Sequence, residues 1–478
     1  MTARSASSPA SLALFESETV GGFLSTRALR RAQLGDATEE DAQAVFVLER
    51  DEDVGAALNL FARHRILSAP LVLRVQQREG GGGAASPYGG GAASPYRAAS
   101  PYRVLSFLSI GDIVNSFLFS SEAAEHQEGA IPHGGGSTAD NGYSGSSAGA
   151  DVGSVLWRMR VLAAAGRAFS SRKLGDVGSA EDGDLVYAGA THAMPLSQLV
   201  RYGLLRWPRQ RPAKAPCHRV GVFGLDGTVQ AICSQSDVVE WVADKLWQLG
   251  TVIHEPIDSV EELVTSPVVT VSSLRAAIDC LADAKAAGVP AVGIVDAASG
   301  CLVGNLSDSD LRGLLPEHFS GLALPVAEFL CHRQQWGTHP GAAAAARQGG
   351  GLHFQGGALS SGPILVPEEM GADTAAARGG GAAAPATASA SAGAGGLSTG
   401  PPPTWLPSVR DEYAKALLRT RSIAMCSGSD TFGSIIKRLA AQRLHRIYIV
   451  DSDGLPTGLV SLTDVLSVLV RSPAETTP

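Results

Sequence analysis

Apolar positions spaced i, i+3, i+4, i+7 recur along this chain. Each set leads into a β-branched run, a polar turn, a second short run and a Ser-x-x-Asp tetrapeptide or a close variant. The clearest copy spans residues 429–470. Phe432, Ile435, Ile436 and Leu439 form one face of a predicted helix opened by Ser429 and Asp430. The period then changes from that of a helix to that of a strand. Residues 445–450 (His-Arg-Ile-Tyr-Ile-Val) predict a strand, 451–454 (Asp-Ser-Asp-Gly) a turn, and Gly458, Leu459 and Val460 a second strand. Ser461, Leu462, Thr463 and Asp464 then lead into a second helix carrying Val465, Leu466, Val468 and Leu469.

The same order is found three more times. In the third unit Leu274, Ala277, Ile278 and Leu281 repeat the helical face, 289–296 is the strand and Ser307-Asp308-Ser309-Asp310 the junction. The second has Leu196, Leu199 and Val200 on a helix, 218–223 as strand, Asp226-Gly227 as turn and Ser234-Gln235-Ser236-Asp237 as junction. The first has Val54, Ala57, Leu58 and Phe61, then strands at 69–73 and 104–108, then Ser109-Ile110-Gly111-Asp112. Between its two strands, 80–103 contains Ala-Ala-Ser-Pro-Tyr three times, set in glycine, which predicts an exposed loop because Gly and Pro sustain no ladder. A slippage-expanded loop explains the repeat; the alternative is that Ser86, Ser94 and Ser100, each followed by proline, are phosphorylation sites.

Ser-x-x-Asp between a strand and a helix has a local explanation. Ser at the N-cap and a carboxylate three residues on satisfy orphan amides and suit the helix dipole. The second and fourth units add a basic pair at the start of the strand beside the junction, His218-Arg219 and His445-Arg446. A solvated strand edge explains one such pair; two in register with two junctions point further. The first and third units have no basic residue at the matching point, so an anion there would need side chains from a neighbour, and His64 with Arg65 reads as a helix end.

These residues resemble the cystathionine-β-synthase (CBS) repeat, whose β-α-β-β-α units pair into Bateman modules that bind adenine nucleotides. Four in one chain without a catalytic domain resembles the gamma subunit of the AMP-activated protein kinase family, especially the plant-type gamma-like proteins. The resemblance implies an α+β fold in which consecutive repeats pair, one with two and three with four. It divides the chain into an N-terminal extension (1–38), repeats at 39–121, 151–250, 251–333 and 404–474, and linkers at 122–150 and 334–403. Carried across by position, Asp112, Asp237, Asp310 and Asp464 become ribose ligands. Ser109, Ser234, Ser307, Ser461 and Thr463, with the amides of the helix start, approach the phosphate. His218, Arg219, His445 and Arg446 become phosphate ligands. The implied ligand is a regulatory adenine nucleotide, with no further cofactor, and the implied partners are kinase catalytic and β-type scaffold subunits.

Composition adds boundaries to this reading. Hydrophobic content of 45% supports real cores, while Gly 56 and Pro 26 collect in biased tracts, so the folded part is smaller than the 478-residue chain. A net charge of −8 gives no global pull toward nucleic acid or anionic lipid. Six scattered cysteines without a Cys-x-x-Cys pair suit a reducing compartment. No run is apolar and long enough for a membrane span and the start lacks a signal pattern, so a cytoplasmic or nuclear protein is expected. Phosphate-loop, Gly-x-Ser-x-Gly and His-Glu-x-x-His patterns are missing, and His192, His254, His318 and His353 stand alone, so neither an enzyme nor a metal site is expected. A nucleotide sensor and a scaffold that has lost ligand response both remain open.

Overall fold

The computed structural model describes residues 9–33, 45–74, 102–128, 152–177, 193–206, 216–223, 229–333, 411–420 and 423–471. Ser86, Ser94 and Ser100, the Asp226-Gly227 turn and the tract 334–403 lie outside the described residues. Four antiparallel hairpins form the skeleton. They are β2 (Ser68–Arg74) with β3 (Tyr102–Ser109), β4 (Arg219–Phe223) with β5 (Val229–Ser234), β7 (Ala291–Val295) with β8 (Leu302–Ser307), and β10 (Arg446–Val450) with β11 (Pro456–Ser461). Short parallel strands β1 (Leu48–Glu49), β6 (Thr270–Ser272) and β9 (Met425–Cys426) extend three of them.

Their registers coincide. Ser68, Arg219, Ala291 and Arg446 each face the serine that ends the second strand: Ser109, Ser234, Ser307 and Ser461. In all four hairpins the register shifts near the far end of the first strand, at Leu71/Val72, Val222/Phe223, Ile294/Val295 and Ile449/Val450. The residue before the first helix of each unit makes an isolated antiparallel bridge: Asp53 to Lys173, Thr19 to Pro195, Ala276 to Pro325 and Pro256 to Thr431. Repetition read from apolar spacing is thus repeated in the backbone pairing.

The helices are α1 (Pro9–Ser17), α2 (Val20–Gln33), α3 (Val54–His64), α4 (Ile110–Glu128), α5 (Val152–Ser170), α6 (Leu196–Gln198, continued as a π-helical turn through Leu204), α7 (Gln235–Ala243), α8 (Ala277–Ala286), α9 (Val326–Arg333), α10 (Glu412–Thr420), α11 (Phe432–Ala441) and α12 (Leu462–Val470). Several expectations need correcting. Leu274 is not on the α8 face: it is 56% exposed, in the turn where its amide meets Ser272 Oγ. The third junction opens a short 3-10 turn (Asp308–Leu311) instead of an α-helix. Helix α4 continues to Glu128, inside the expected linker, and Tyr102 and Arg103 pair with Arg74 and Leu73 in β3. The stretch assigned to an extension holds α1 and α2, whose Leu14, Phe15, Val20 and Phe23 are buried with the second unit.

The apolar faces merge into two cores that cut across the order of the units. One joins the first and third units through α5, the other the second and fourth with α1 and α2. In the first, Phe117, Phe169 and Phe319 stack with centroids 4.4–6.4 Å apart, tying α4, α5 and the 3-10 segment Pro316–Ala323 together. Consecutive units touch through their strands. Phe107 of β3 lies against Gly221 of β4, and the Tyr448 hydroxyl donates to Asn305 Oδ1 at 2.7 Å. Among the described residues no helix is long and apolar enough to cross a membrane.

Candidate functional site

All four junctions fold as reciprocal caps, as the local reading of Ser-x-x-Asp requires. Each aspartate Oδ2 accepts from the backbone amide and hydroxyl of its serine: Asp112 from Ser109 at 2.8 and 2.7 Å, Asp237 from Ser234 at 2.9 and 2.7 Å, Asp310 from Ser307 at 2.7 and 2.8 Å, Asp464 from Ser461 at 2.8 and 2.6 Å. The cap fixes the carboxylate at the mouth of the helix start. The further partners of each carboxylate decide what else its junction can do.

The four junctions differ there. At the fourth, Asp464 Oδ1 accepts from the Thr265 hydroxyl at 3.2 Å. Thr265 is carried to that position by paired backbone bonds with Leu459, and sequence reasoning missed it because it lies 199 residues away. Gly458 admits the same segment, since a Cβ there would stand 2.7 Å from a Val264 methyl. The close approach at this glycine is therefore made by the chain itself. The Thr463 hydroxyl donates to Gln235 at 3.0 Å, linking the fourth junction to the second. Asp237 meets Arg27 of α2 at 3.0 Å, and Asp310 meets Arg333 of α9 at 3.1 Å. Asp112 is exposed.

The basic residues gather between the units. Arg219, facing Ser234 across its own hairpin, donates to Ser68 Oγ of the first unit at 2.9 Å, so a unit without a basic residue receives one from its neighbour. Burial holds the Arg219 pKa below its ordinary value against the pull of Asp237, and repulsion from Arg312 adds to the effect. Arg312 is lowered as well, by burial and then by repulsion from Arg65. His445 is pushed down to about 4 by burial, then by Arg446, Arg219, His218 and Arg312, so it is neutral at pH 7. These shifts bring together the four basic residues expected from sequence and add Arg312, which follows the third junction.

Inside this positive centre sits one unexpected anion. Asp308, half-buried, lies against the backbone of Gly111 in the first turn of α4, where a side chain would collide with its carboxylate. Burial raises its pKa to about 6, with Asp112 and Asp310 adding to the rise and Arg446 and Arg219 opposing it. Ser307, Asp308, Val289 and Pro290 also wall a cavity of about 100 Å³ against Gly111 and Asn115 of α4. Among the described residues no His, Cys, Asp and Glu group is placed to hold a metal.

The CBS domain family matches residues 414–471, the stretch that holds the fourth hairpin and its capped junction. Over a short part of its length the chain is similar to kinase subunits. It is 36% identical to the 5'-AMP-activated protein kinase subunit gamma-3 of Bos taurus, over 14% of this chain and 14% of that protein. It is 34% identical to the SNF1-related protein kinase regulatory subunit gamma-like PV42b of Arabidopsis thaliana, over 14% of this chain and 22% of that protein. The chain thus spans less than a quarter of the length of these relatives. A solved archaeal structure from Methanocaldococcus jannaschii, described as a homologue of the AMPK gamma subunit, aligns over 89% of this chain and 96% of its own at 10% identity and a TM-score of 0.44.

Proposed function

We propose that this chain is a non-catalytic regulatory subunit. Its four units act as CBS repeats, consecutive repeats pair into two Bateman modules, and adenine nucleotides bind at the junctions. The proposed partners are kinase catalytic and β-type scaffold subunits. The observation that supports this reading is the common register that sets Arg219 and Arg446 opposite the junction serines Ser234 and Ser461. A nucleotide at the fourth junction has Asp464 for its ribose, with Ser461 and the α12 amides near its phosphate. Arg446 and Arg219 face the same centre. Because His445 is neutral at pH 7, the arginines supply the attraction for the phosphate. Occupancy shifts a kinase only through a difference in affinity between two arrangements of the modules.

The test is calorimetric titration of the full chain with AMP, ADP and ATP, repeated with Asp464→Ala and Arg446→Ala, with folding followed by circular dichroism. Weaker binding in both folded variants supports a sensor. A folded wild-type chain that binds none of the three sinks it. The second reading is a scaffold that joins kinase subunits without nucleotide response. It is favoured by the arginines that engage Asp237 and Asp310, and it predicts subunit association unchanged by nucleotide.

A further inference from the structure

The four junction carboxylates are chemically unequal, and the inequality is set by helices outside the hairpins. Asp237 Oδ2 already accepts from Ser234 when Arg27 adds a third donor, Nη1 at 3.0 Å. The same nitrogen donates to the carbonyl of Ile232, the last strand turn before the junction. The side chains of this pair are 15% and 11% exposed, so it is not a solvated surface contact. Helix α2 cannot readily lift away: Val20 and Phe23 are buried in the core, and Arg30 holds the Glu240 carbonyl and Asp244 at the far end of α7. At the third junction both oxygens of Asp310 are engaged, Oδ2 by Ser307 and Oδ1 by Arg333 Nη2 at 3.1 Å, with side chains 17% and 6% exposed. Arg333 also donates to the carbonyls of Ser309 and Asp310, and α9 is anchored by Phe329 and Leu330.

A ribose diol binds a carboxylate by donating two neutral hydroxyls to it. A guanidinium already there offers charge-assisted bonds of about twice the strength from a pre-organised fork. At the fourth junction the corresponding partner is the Thr265 hydroxyl, a neutral donor that can rotate. We infer that Arg27 and Arg333 are internal occupants of the second and third ribose sites, closing those junctions to nucleotide. This rests on the nucleotide reading above and specifies which of its sites are closed. Two helices of different sequence and position each deliver an arginine to a junction carboxylate, at Oδ2 of Asp237 and Oδ1 of Asp310, so the pairing is observed twice.

The experiment is calorimetric stoichiometry of the full chain with AMP, the smallest of the three nucleotides. Arg27→Ala is expected to add one site, and Arg27→Ala with Asp237→Asn to remove that gain. Arg27→Gln, which keeps the packed aliphatic stem, replaces Arg27→Ala if circular dichroism shows the alanine variant unfolded. Stoichiometry that falls with Asp237→Asn in the wild-type background overturns the inference while leaving the nucleotide reading in place. A folded Arg27 variant with no added site does the same. No binding by the wild type or by either Arg27 variant overturns both.

Discussion

Asp308 offers the sharpest test of the centre. It begins the 3-10 turn after β8, with its carboxylate against Gly111 and with Asp112, Asp310, Arg446 and Arg219 facing it. Replacing it with asparagine keeps the shape and removes the charge. The rise in pKa from 3.8 to about 6 means the folded state prefers the protonated acid. The sign follows from linkage: between those values the folded chain binds the proton better than the unfolded chain. The stability due to this group is complete below 3.8 and is lost as pH rises through 6. At 1.36 kcal/mol per unit, the ionised carboxylate costs about 3 kcal/mol at neutral pH, a ceiling because the half-buried group keeps some water. Asp308→Asn should therefore be more stable than the wild type by up to about 3 kcal/mol near pH 7.5, the advantage falling to about half near pH 5 in urea unfolding. A variant equal to or less stable than the wild type at the higher pH would show that the arginines outweigh burial, and would refute the argument.

Further outcomes follow from the same geometry. His445, held near 4 by burial and its basic neighbours, should stay neutral in an NMR titration down to pH 5.5, about a unit below the ordinary histidine value; its stability contribution is complete above 6.5 and declines as pH falls toward 4, and a midpoint at the ordinary value contradicts the crowded centre. Phe319→Ala, at a fully buried ring touching Phe117 and Phe169, should cost about 3–5 kcal/mol in chemical denaturation, and a loss below about 1 kcal/mol contradicts the core shared by the first and third units. Gly458→Ala pushes a methyl into Val264 and should cost about 1–3 kcal/mol in chemical denaturation; unchanged stability argues that the Val264–Thr265 segment yields without strain.

What the sequence disclosed and what it concealed divide along the range of the interactions. Ser461 and Asp464 form their cap within three residues, and the same is true at the other junctions, so the cap was readable as a string. The α11 face was readable because Phe432, Ile435, Ile436 and Leu439 bury together. Leu274 misled because periodicity registers a suitable residue even when a turn closed by Ser272 ends the helix short of it. Neither cap nor period says which neighbour a face meets, and here the answers are remote: Arg27 reaches Asp237 across 210 residues, Thr265 reaches Asp464 across 199, and Arg219 reaches Ser68 across 151. Those contacts differ from unit to unit while the caps do not. The repeat therefore sets four equivalent junctions, and the non-repeating partners around them make the junctions chemically distinct. A change in function of such a chain can then arise from residues such as Arg27 and Arg333, with every Ser-x-x-Asp left intact.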